Sequence, residues 1–197
     1  MKLTVPNSLA DISVKQYKEL TDLNIDKHEN KWLVEAVCIL CNLERSLVEQ
    51  LTVDELSRIN TIVAKITDEE QNNQELQKKI EYKGKKYGFH PNLSKLTVGE
   101  FADLETYMEG GMFENLQEVL AILYRPVTRE KSKLYEIESY EPSQIKTDAM
   151  GECPMDVAIG AVVFFYRIET ALANALPLSL PATARQTRLP KSGDGTQ

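Results

Sequence analysis

The run "VAIGAVVFFY", Val157 to Tyr166, is the longest uninterrupted apolar stretch in the chain, and it constrains the fold more than any other feature. Ten such residues must be removed from water, and Arg167 and Glu169 follow them at once. The run therefore falls well short of the roughly 20 residues that cross a bilayer. Pro154 and Asp156 just ahead of it suit the first turn of a helix. With apolar residues on every face, a helix over about 154–176 is expected to sit centrally or at a subunit interface.

What surrounds that helix is read from the chain's punctuation. "SVKQ" (Ser13 to Gln16), "TVDE" (Thr52 to Glu55) and "TVGE" (Thr97 to Glu100) each have the form of a capping box. In such a box a hydroxyl accepts from one helix-start amide and the acidic or amide side chain reaches back to another. Three of them predict a helix-rich domain. Trp32, Leu33, Ala36, Val37 and Leu40 recur at helical spacing, and so do Met112, Leu116, Val119, Leu120 and Leu123. Gly110-Gly111 separates this last helix from the one starting near Val98, so the two should form an antiparallel hairpin.

Strand signals are fewer. "KLTV" (Lys2 to Val5) alternates like a short strand and "KLYEIESY" reads as another. Ile80/Tyr82 and Tyr87/Phe89 alternate about Lys83-Gly84, which predicts a small β-hairpin at about 79–89 with Gly84 at positive φ. The fold class expected is α+β, mainly helical: a helical bundle around the 154–176 helix, with this hairpin beside it. One domain should cover 1–176.

Residues 177–197 read as an extended C-terminal arm. "PLSLPATARQTRLPKSGDGTQ" carries three prolines and few large apolar residues, too little burial to offset its own ordering entropy. Charge separates it from the rest. The chain's net charge is −7; residues 1–181 hold 20 basic against 29 acidic residues, a charge of −9, and residues 182–197 hold three basic and one acidic, a charge of +2. So acidic a body should repel nucleic acid. The arm could instead lie across the acidic surface of another copy, with Arg185 and Arg188 steering it and Leu178, Leu180 and Leu189 holding it.

Chemistry-bearing motifs are scarce. The chain has no GxxxxGK[ST] loop, GxGxxG, GxSxG or HExxH. Cys38 and Cys41 form a CxxC with apolar residues between, and Cys153 stands alone; these read as packing cysteines in a reducing cytoplasm, not as a metal or redox site. His28 and His90 read as ordinary surface or turn residues. No catalytic, cofactor-binding or metal-binding residue is expected. The nearest approach to an acid/base pair is Glu100 with Asp103, and Glu100 is already explained as a capping partner.

Arg125 ends the apolar stretch "LAILYRP". A guanidinium there is costly to bury without carboxylates or carbonyls to receive its donors. If the Val98 and Met112 helices double back through Gly110-Gly111, Arg125 at the end of the second lies near Glu100 and Asp103 in the first. The three residues are expected to form a structural clasp, with Pro126 stopping the helix.

The order of "LTVPNSLADISVKQY", "YGFHP", "LTVGEFADLETYM", "LAILYRPV" with "YEIESY", and "PMDVAIGAVVFFYRIETAL" resembles a family of small virion structural and assembly proteins of tailed bacteriophages, crAss-like phages included. The resemblance covers about residues 1–176 and implies a non-enzymatic head-to-tail connector, neck-ring or tail-ring subunit, without cofactor. It implies partners in other copies of the chain and in neighbouring phage structural proteins, with no nucleic acid, membrane or small-molecule substrate, and localisation to the virion after synthesis in the host cytoplasm. A tail-assembly chaperone absent from the finished particle is the alternative, and an enzyme using Glu100 and Asp103 a more distant one.

Overall fold

A computed structural model of the chain describes residues 4–24, 30–69, 75–82, 84–132 and 134–179, with 65–69 and 169–179 described as helical backbone. Eight α-helices are present among these residues: α1 Val14–Thr21, α2 Asn30–Cys41, α3 Arg45–Val48, α4 Val53–Glu69, α5 Val98–Glu109, α6 Leu116–Leu123, α7 Gln144–Gly151 and α8 Met155–Ser179. Four strands, β1 Lys79–Tyr82, β2 Lys85–Phe89, β3 Tyr124–Lys131 and β4 Leu134–Ile137, form one antiparallel sheet in chain order. The fold is mixed and mainly helical.

All three capping boxes form. Ser13 Oγ accepts from the Gln16 amide while Gln16 Oε1 accepts from the Ser13 amide. Thr52 with Glu55, and Thr97 with Glu100, repeat the exchange. Each box satisfies amides that a helix start would otherwise leave unpaired. The β1–β2 hairpin also forms, with Gly84 at φ 72, where a side chain would be strained.

The sheet is larger than the sequence reading allowed, and the cause lies at Arg125. A residue before proline is pushed out of the helical region, so α6 cannot extend through Arg125 to Pro126. Tyr124 already has extended φ −110 and ψ 118. The chain passes directly from α6 into β3, where Tyr124, Arg125 and Pro126 lie opposite Phe89, Gly88 and Tyr87. β4, inside the segment expected as a strand, then adds to β3. Thr4 and Val5 lie in no strand, and α6 begins at Leu116, four residues later than the spacing suggested. The short helix α7 had no counterpart in the sequence reading.

The core gathers residues from most elements, among them Leu9, Val14, Trp32, Val37, Leu104, Leu120, Tyr124, Met150 and Met155. A β-bridge between Ser13 and Pro154 ties the N-terminal segment to the start of α8, with Val14 N–H donating to Cys153 O and Met155 N–H to Ile12 O. The helix expected over about 154–176 forms, fully buried over only part of its described length. Met155 and Val157 through Val162 are buried, whereas Val163, Phe164, Phe165 and Ile168 are half-buried and Tyr166 is 50% exposed. The early part of α8 packs on the 3-10 turn at Leu9–Asp11, on α1 and on α6. α2 packs with α1, α3 and α4.

Gly160 is where α8 is approached most closely: a Cβ there would sit 2.6 Å from the Glu75 carbonyl oxygen. Beside it Gln77 donates to Asp156 Oδ2 at 2.8 Å, and the Tyr124 hydroxyl donates to Gln77 O at 2.7 Å. The segment entering the sheet is thus bonded to both α8 and β3. α8 runs to Ser179, three residues into the stretch read as an arm. No helix among the described residues is long and apolar enough to cross a membrane.

Candidate functional site

Glu100 is the fixed point of the polar cluster. As the third residue of α5 it turns one oxygen, Oε2, back to the Thr97 amide at 2.6 Å, which leaves Oε1 facing inward. Arg125 meets it there: Nη2 lies 2.6 Å from Oε1, and both side chains are almost fully buried. The chain doubles back between α5 and α6, and this brings the first residues of β3 to the first turn of α5. Burial alone would raise the Glu100 carboxyl; the bonds from Thr97, together with the Arg125 and His90 charges, outweigh it and hold the group below its ordinary 4.5.

Asp103 does not join this pair. Its Oδ2 accepts a 2.6 Å bond from the Tyr140 hydroxyl, and the Tyr140 ring faces the Arg125 guanidinium at 5.9 Å. Tyr140 thus engages the carboxylate through its hydroxyl and offers Arg125 a cation–π contact through its ring. Burial first, then the bond to Asp103, pushes the Tyr140 phenol well above its ordinary range.

His90 corrects the reading of it as an ordinary surface or turn residue. It is buried at the exit of β2, its amide donating to Leu123 O at 2.7 Å. Nδ1 accepts from the Asn92 amide at 3.3 Å, which leaves the proton of the neutral ring on Nε2, 3.9 Å from Glu100 Oε1. Burial, then the Arg125 guanidinium, depress the imidazole below its ordinary 6.5, against the upward pull of Glu100. The sequence carried one usable signal: "FHP" places the histidine directly after an apolar strand end, where the chain turns into the core.

Within the cluster, Arg125 Nε is buried without a hydrogen-bond partner among the described residues. Both Glu100 oxygens and one Asp103 oxygen are engaged internally, so the arrangement works as a tie between α5, β3 and the segment holding Tyr140. Cys38 and Cys41 are half-buried on α2, and burial pushes the buried Cys153 thiol up to about 12. Among the described residues no group of three His, Cys, Asp or Glu side chains is placed to hold a metal ion. His28 lies outside the described residues.

A second feature lies on the outer side of α5. Two depressions share Leu93 and Ile168 and flank the emerging part of α8. One, of about 520 Å³, runs between Phe101, Leu104 and Met108 of α5 and Phe165 of α8, with Glu105 and Glu109 at its side. The other, of about 680 Å³, lies between Phe164, Leu134 and Tyr135 and reaches His90. Phe101 is 57% exposed and Leu134 79% exposed. Together they make an apolar trough open to solvent, a feature the sequence reading did not place.

Of the residues assigned to the arm, Leu178 lies in the helical backbone of α8, and Leu180, Arg185, Arg188 and Leu189 lie outside the described residues. Comparison with protein-family models, with curated proteins and with solved structures finds no match to this chain.

Proposed function

We propose that the chain is a non-enzymatic structural subunit of a tailed-phage particle, working in a ring at the head-to-tail neck or upper tail. The observation that carries this reading is the solvent-open apolar trough beside α8, whose half-buried and exposed aromatic residues would be covered in an assembly. Support also comes from the polar cluster. The two carboxylates that could have served an acid/base reaction are spent on Thr97, Arg125 and Tyr140, in a role that holds the fold together. The ordered sequence series described above is what directs the assembly reading to phage.

Mass spectrometry of purified particles tests it, together with sedimentation velocity of the isolated chain. The expected result is a fixed copy number per particle and concentration-dependent association into rings. A protein abundant in infected cells but missing from finished particles would convert the reading into that of an assembly chaperone. A chain that stays monomeric at all concentrations, and is absent from particles and their precursors, would overturn it.

A further inference from the structure

Glu105 and Glu109 stand one turn apart at the side of the trough, and neither makes an ion pair among the described residues. Two carboxylates at i and i+4 repel each other along a helix, an arrangement that calls for a cation from outside it. Next to them the trough offers an apolar floor of Leu93, Leu96, Phe101 and Met108. A ligand that fits must carry positive charge and a few large apolar side chains on an extended backbone. Residues 180–197 have that composition: Arg185, Arg188 and Lys191 against Asp194 alone, with Leu180 and Leu189.

We infer that the trough between α5 and α8 receives residues 180–197 of a neighbouring copy, with Arg185 and Arg188 meeting Glu105 and Glu109 while leucine side chains enter the apolar floor. From Ile168 the helix continues to Ser179, which at 1.5 Å per residue carries the start of the segment about 16 Å beyond the trough, a distance that the segment is long enough to span back to its own chain or on to a neighbour. The choice of a neighbouring copy follows from the assembly reading. This inference rests on the assembly reading above and adds to it which surface is covered, and by what.

The test uses the full chain with a photo-crosslinking benzoylphenylalanine in place of Phe101, an exposed position that tolerates a larger ring. After irradiation the products are separated by mass and mapped. The expected product has twice the chain mass and joins position 101 to residues 180–197. A product of twice the mass joined elsewhere would overturn this inference and leave the assembly reading standing. Attachment to 180–197 at single-chain mass would show the segment folding back on its own protomer and overturn the exchange between copies. With no product of twice the mass and no association in sedimentation this inference falls, and the assembly reading falls with it if the chain is also absent from particles and their precursors.

A charge swap supplies a second readout on the same full chain. Glu105→Arg with Glu109→Arg, or Arg185→Glu with Arg188→Glu, should each weaken self-association by about tenfold, and the four changes together should restore most of it. Loss without restoration, or no loss from either pair, would overturn the pairing.

Discussion

The two sides of α5 treat the same residue types in opposite ways. Facing inward, Glu100 is 2% exposed and both its oxygens are bonded, while Asp103 accepts from Tyr140. Facing outward, Glu105 and Glu109 make no ion pair among the described residues and stand beside an exposed Phe101. Burial makes an unpaired charge expensive, so the inner carboxylates must have partners for the chain to fold. Water imposes no such demand outside. An apolar trough flanked by carboxylates that make no ion pair among the described residues is therefore free to be completed by something else, and under the proposed assembly this contrast would separate what holds the fold from what joins one copy to another.

The largest test of the contrast is Arg125→Ala, which leaves Glu100 buried and uncompensated. It should cost about 3–5 kcal/mol, read as a melting temperature lower by on the order of 10 °C. A shift within error would mean that the inner pair does not hold the fold. Next comes Gly160→Leu. Its Cβ would press on the Glu75 carbonyl, backbone rather than a flexible side chain, so about 1–3 kcal/mol should be lost in the denaturant midpoint.

On the inner side, acid should act through His90 and Glu100. Both His90 and Glu100 have folded-state pKa values below their unfolded ones, so in each case the unfolded chain binds more protons as pH falls. The His90 contribution is complete above 6.5 and is lost as pH falls from there through its lower folded value; the Glu100 contribution is lost below 4.5 in the same manner. Stability measured against pH should decline as each group is protonated, and His90→Gln should flatten the decline near pH 6 and, by removing one of the charges that lower Glu100, lessen the later one as well. A His90→Gln curve parallel to that of the parent chain near pH 6 would remove His90 from the acid response.

The smallest effect is expected outside. Glu105→Gln relieves a repulsion between exposed neighbours and should stabilise the protomer by only ~0.2–0.5 kcal/mol, less at high salt. Thermal melts at low and high ionic strength would show it. A loss of stability instead would reveal that Glu105 already has a partner within the protomer.

How much of this was legible beforehand depends on how far apart the interacting residues are. Ser13 with Gln16, Thr52 with Glu55, and Thr97 with Glu100 lie three residues apart, so the chain's own helical geometry brings them together. The hairpin turn at Gly84 is similarly local. The need of Arg125 for an acidic partner was also readable, because the cost of burying a guanidinium does not depend on the fold. Asp103 shows the limit: spacing put it near Glu100, but it could not disclose that Tyr140, 37 residues away, would claim its oxygen.

By itself, then, the amino-acid sequence determined the three capped helix starts, the β1–β2 turn, the end of α6 before Pro126 and the separation of an acidic body from a basic C-terminal segment. These follow from bonds within one turn, from the restriction proline imposes on its predecessor, and from counting charges. Only the tertiary structure decided that Arg125 enters a strand paired with Gly88, that His90 is buried beside Glu100, and that α8 is fully buried only in its first part. The physical reason is common to all three. An apolar run states that burial is favourable, but which of its residues are covered depends on elements far away in the chain, and at α8 full cover ends at Val162 while Val163, Phe164 and Phe165 are only partly buried against the core.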